Sequence, residues 1–76
     1  MMSRTQAILR VLARGGHEKV AASVMRVFGA TSIEDCLATY EAVGAAERKS
    51  LDEFVARMTA DAGAAFELAV DNAERG

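Results

Sequence analysis

Few side chains in this sequence have types and spacing suited to chemistry. His17 is the single histidine and Cys36 the single cysteine. A histidine acts as a general base only where other groups converge on it. His17 instead lies beside Gly15 and Gly16 with Glu18 next to it, which reads as a polar residue at a corner between helices. Cys36 falls between Ile33 and Tyr40 at helical spacing, the position of a core thiol; a reactive thiolate needs an exposed, electropositive setting. The acid pairs Glu34/Asp35 and Asp52/Glu53 are neighbours in sequence, so on a helix they point about 100° apart and do not share a proton or a metal. No Cys/His cluster has metal-binding spacing and no glycine-rich loop follows a strand. The expectation is a protein that is not an enzyme and carries no cofactor or metal.

The elements that position these groups are helices. Sixteen of the 76 residues are alanine and none is proline; Glu, Arg and Leu are also frequent, so helix propensity runs almost unbroken. The fold class expected is all-α, a compact single domain over residues 1–76 built as a bundle of four helices, at about 3–14, 17–28, 32–43 and 50–74. Gly15, Gly29 and Gly44 each follow a helical stretch and suit the left-handed conformation that ends a helix. Ser3 with Gln6, Thr31 with Glu34, and Ser50 with Glu53 each match the reciprocal capping pattern of a helix start. The second helix has no such signal and begins near Gly16 or His17.

Hydrophobic periodicity assigns the core. The first helix gathers Ile8, Leu9, Val11 and Leu12, the second Val20, Ala21, Val24, Met25, Val27 and Phe28, and the third Ile33, Cys36, Leu37, Tyr40 and Val43. From Leu51 the stripe continues through Phe54, Val55, Met58, Ala62, Ala65, Phe66, Ala69 and Ala73 without a change of phase, which predicts one long last helix of about 37 Å at 1.5 Å per residue. A kink at Asp61–Gly63 is the alternative. Residues 45–49 read as a loop or an early helical turn. Glu53 with Arg57 and Asp71 with Arg75 have the spacing of favourable i,i+4 pairs. Three partners of about 18 Å cannot cover so long a helix. Its second half therefore predicts a homodimer, with Met58, Ala62, Ala65, Phe66 and Ala69 as the seam.

Within the last helix, "KSLDEFVARM" (49–58) resembles the phosphopantetheine attachment segment of acyl carrier proteins, and that resemblance implies Ser50 as the attachment site. It covers about ten residues, Lys49 stands where the family has Asp, and Ser50 serves equally as a helix cap. The stretch "MRVFGATSIEDCL" (25–37) has the outline of a helix-turn-helix. A DNA-reading second helix presents basic or amide side chains at its start; this one presents Glu34 and Asp35, so it is read as a packing corner.

Charge is distributed unevenly. Residues 1–26 hold five cations against Glu18 alone, whereas residues 27–76 hold ten acids against four cations. Two surfaces follow as candidates for docking a partner: a basic one of Arg10, Arg14, Lys19 and Arg26, and an acidic one of Glu34, Asp35 and Glu41. No apolar run approaches the roughly 20 residues of a membrane span, and a small chain with one cysteine suits a reducing compartment, so a cytoplasmic location is expected. The function expected is that of a small regulatory or inhibitor-type protein acting by protein–protein binding as a homodimer. A small DNA-binding regulator using the basic patch is the alternative, disfavoured by the acidic third helix.

Overall fold

Helix α1 (Arg4–Ala13) is the axis about which the chain folds, and it touches all four other helices: α2 (Glu18–Phe28), α3 (Ile33–Ala42), α4 (Ala45–Met58) and α5 (Ala64–Arg75). The computed structural model describes residues 2–76. α1 lies between α5 and α3, while α2 packs on α3 and α4. Ala7, Ile8, Leu9, Val11 and Leu12 of α1 are buried together with Val24, Cys36, Tyr40, Val55, Phe66 and Val70 from the helices around it. The expected all-α bundle is what forms, with no strand among the described residues.

The helix ends show which local signals decide. Ser3 caps α1 with the full reciprocal box, its Oγ accepting from the Gln6 amide (3.1 Å) and its own amide donating to Gln6 Oε1 (3.0 Å). α2 ends in a Schellman motif: Gly29 is left-handed at φ 64°, its amide donates to Arg26 O (3.2 Å), and the Ala30 amide donates to Met25 O (3.0 Å). That geometry suits glycine because a Cβ at positive φ is strained. α3 is capped by Ser32, not Thr31; Ser32 Oγ accepts from the Asp35 amide at 3.1 Å.

Three expectations are corrected at the C-terminal half. Gly44 is extended (φ −77°) and starts α4 instead of ending α3. Arg48 closes α3 in its place, donating through Nε to Tyr40 O (3.2 Å) and through Nη2 to Val43 O (2.8 Å) and Glu41 O (3.4 Å). A cation at the negative pole of a helix is favourable both as a donor to orphan carbonyls and as a charge. Residues 45–49 are helical, so Ser50 is an exposed mid-helix residue of α4 and caps nothing.

The single helix expected over 50–74 is divided at residues 59–63. The buried Thr59 hydroxyl donates back to Val55 O (2.8 Å), and Gly63 takes φ 101°, ψ 167°, a conformation that side chains on an L-residue rarely allow. α5 then folds back along α1, where Phe66 and Val70 are fully buried. Arg4 holds it there through ion pairs to Glu67 (2.6 Å), Glu74 (2.8 Å) and Asp71 (3.1 Å). Asp71 is thus drawn to Arg4; neither Asp71–Arg75 nor Glu53–Arg57 forms an ion pair among the described residues. Arg57 instead stacks on Phe54, its guanidinium carbon 4.9 Å from the ring centroid. No helix among the described residues is long and apolar enough to cross a membrane.

Candidate functional site

The C-terminal ends of α2 and α3 and the outer side of α4 leave an apolar groove between them. Val27 and Phe28 come from α2, Thr39 and Val43 from α3 and its end, and Glu47, Ser50, Leu51 and Phe54 from α4, around a volume of about 310 Å³. Two of the caps described above build its walls. The Schellman turn at Gly29 fixes the last turn of α2, and Arg48 fixes the end of α3 beside Val43. Val27, Phe28, Val43 and Leu51 are half-buried, while Phe54 is 44% exposed. Apart from Glu47 at the rim, nothing in the lining is ionisable, so the groove is suited to accepting an apolar side chain.

A larger groove of about 530 Å³ lies between α1, α4 and the start of α5, lined by Arg4, Thr5, Asp52, Thr59 and Glu67 among others. Its polar groups are already committed to one another. Tyr40 OH donates to Asp52 Oδ1 (2.7 Å), Thr5 Oγ1 donates to the same oxygen (2.5 Å), and the Ser3 hydroxyl lies 3.3 Å from Tyr40 OH. Burial raises the Tyr40 phenol above its ordinary range and the Asp52 carboxylate adds to the rise; the bond to Ser3 opposes it. The Arg4 guanidinium is raised chiefly by its bond to Asp71. No buried side-chain polar atom among the described residues lacks a partner. This groove is where α1 is fastened to α4 and α5.

The residues singled out from the sequence are dispersed. Arg10 and Arg14 are exposed and share a depression with Met2, Asn72, Ala73 and Gly76, facing the C-terminal end of α5. Lys19 lines a different depression with residues 16–20, and Arg26 is exposed near the far end of α2. The depression that Arg10 and Arg14 share on α1 is thus not the one that Lys19 lines. Glu34, Asp35 and Glu41 are all exposed on α3. Glu34 and Asp35 lie in its first turn, where negative charge is favourable to the helix itself.

Of the residues assigned to a dimer seam, Phe66 is fully buried inside the monomer, with His17 edge-on at 4.9 Å between ring centroids. Met58, Ala62 and Ala69 are partly buried against the same core, and Ala65 is exposed. Because the chain turns back at 59–63, the long uncovered stripe that implied this seam does not exist. Cys36 is fully buried, and burial, followed by the negative charge of Asp35, raises its thiol above the ordinary range, as suits an unreactive core residue.

Phe54 was legible as apolar but not as exposed, since its spacing places it within the stripe that runs from Leu51. Arg4 and Asp52 carry long-range polar contacts of the fold, and no sequence pattern announces partners so far along the chain. Among the described residues no group of three or more His, Cys, Asp or Glu side chains could hold a metal ion. Compared with known protein families, curated proteins and solved structures, the chain matches none.

Proposed function

We propose that this chain is a non-catalytic protein of regulatory or inhibitor type that works by docking onto another protein, and that its docking face is the groove between α2, α3 and α4. The observation that supports this is Phe54. It is a large aromatic side chain, 44% exposed on a rigid helix, beside half-buried Leu51, Val43, Val27 and Phe28. Aromatic anchors next to apolar pockets with a polar rim are what helix-in-groove recognition uses. Glu47, Ser50 and Thr39 supply such a rim.

The test is selection of binders from a displayed library of helical peptides. Selected peptides are expected to carry apolar residues at i, i+3 or i+4, and i+7, and to bind Phe54→Glu at least tenfold more weakly than the wild type. Arg10→Glu with Arg14→Glu should leave that binding unchanged. Binding lost with the arginine pair and kept with Phe54→Glu would place the docking surface on α1 and overturn this reading. The convergence of Arg10 and Arg14 on one depression supports the second reading, nucleic-acid binding through a basic patch; four dispersed cations make it the weaker one.

A further inference from the structure

The docking face carries a pattern that identifies an occupant, provided the reading of that face given above holds. Glu47, Ser50, Phe54 and Arg57 recur along α4 at intervals of three, four and three residues, and all four are exposed. At 100° per residue they fall within a strip about 80° wide, the spacing of a seam between two packed helices. The strip reads acid, small, aromatic, base. If α4 lies antiparallel on another α4 so that Ser50 faces Phe54, the two-fold axis that relates them also sets Glu47 opposite Arg57, twice over. A parallel arrangement in register would instead set Glu47 on Glu47 and Arg57 on Arg57, and an antiparallel shift by one turn would put Glu47 against Phe54. Of these three arrangements, only the first matches both charge and volume.

We propose that the face docks a second copy of this chain, α4 against α4, antiparallel about a two-fold axis. Each Phe54 enters the other copy's groove at Ser50, between Glu47 and Leu51. Arg57 is already held over the Phe54 ring at 4.9 Å, which stiffens it and leaves the edge of its guanidinium free to donate to the partner's Glu47. One face of a 14-residue helix makes a small interface. The dimer therefore belongs to the weak, transient class of interfaces.

Sedimentation equilibrium of the full chain from about 5 µM to about 1 mM tests this, with circular dichroism to follow folding. The wild type is expected to move from 8.1 kDa to twice that mass. Glu47→Arg alone and Arg57→Glu alone should each weaken association about tenfold or more, since each sets like charges opposite one another at both ends. Mixing the two variants should restore it, because both cross pairs are then opposite in sign. Losing helix stability in either variant would not produce rescue on mixing, so the readout separates pairing from folding. A wild type that stays monomeric to 1 mM overturns the inference while leaving peptide binding at Phe54 intact. A dimer whose two charge variants do not rescue each other overturns the α4 register.

Discussion

Replacing Gly63 with alanine tests whether the corner between α4 and α5 is held by backbone conformation. Gly63 sits at φ 101°, ψ 167°, and a Cβ built there meets nothing within 4 Å. Steric overlap with neighbours therefore contributes nothing, and the whole cost is the strain of an L-residue in a region that is nearly glycine-only, about 1–3 kcal/mol. Alanine also favours helix over glycine by about 1 kcal/mol, which promotes running α4 straight into α5 and stripping Phe66 and Val70 from α1. Both effects act against the observed fold. For a domain of this size a loss of about 2 kcal/mol lowers the melting temperature by roughly 8–16 °C. Gly44→Ser is the matched control. Gly44 has φ −77°, also has open space around its Cβ position, and starts α4 with no side-chain cap. Serine fits that conformation and supplies an acceptor for the free amides of the first turn, so stability should rise by a few tenths of a kcal/mol. Urea denaturation monitored by circular dichroism measures both. Gly63→Ala as stable as the wild type would refute the account of the corner, and a destabilised Gly44→Ser would refute the assignment of Gly44 as a helix start.

Arg48→Ala removes three donors to the end of α3 and the guanidinium that lies 5.5 Å from the Tyr40 ring centroid; the expected loss is about 1–2 kcal/mol in urea denaturation, and a loss within error of zero would show that water caps α3 equally well. Tyr40 titrates above its ordinary value in the folded chain, because burial and then Asp52 disfavour the phenolate. Its contribution to stability is thus fully present below the unfolded value of about 10 and is lost as pH rises from there through the folded value. Tyr40→Phe should flatten that alkaline limb of a stability–pH profile, and an unchanged limb would mean that Tyr40 does not titrate within it.

How far the sequence could be read depended on the range of the interaction that decided each feature. Ser3 with Gln6 and Gly29 are local devices, complete within six residues, and both form as their residue types imply. The stripe of α1 was legible because its buried side chains repeat on one helix without interruption. The break at 59–63 was legible only as the alternative of a kink at Asp61–Gly63, because Val55 and Phe66 are eleven residues apart, about three whole turns, and share a face whether the helix is continuous or bends back. The end of α3 near residue 43 was legible, but its cap was assigned to Gly44 because the true cap, Arg48, comes from the next helix, and Ser50 looked like a start only because residues 45–49 carry no cap of their own. The Asp52 cluster joins α1, α3 and α4, and neither of its partners Thr5 and Tyr40 is near it in sequence.

Exposure by itself does not explain why Phe54 is assigned a role and Leu68 is not. Leu68 is the more exposed of the two, at 60% against 44%. Its neighbours one turn away on α5 are Ala64, Ala65, Asp71 and Asn72, so no other large apolar side chain adjoins it there. A single exposed leucine among small and polar residues is ordinary on a protein surface. Phe54 adjoins a groove walled by Val27, Phe28, Val43 and Leu51, with Arg57 laid across its own ring. Contiguity turns a solvent-exposed ring into part of a patch, and the cost of leaving that patch wet grows with its area. The two side chains therefore make opposite predictions for the same substitution. Leu68→Glu should leave association and peptide binding unchanged, whereas Phe54→Glu should weaken both at least tenfold, and equal effects from the two would mean that general surface hydrophobicity, and not this groove, drives binding.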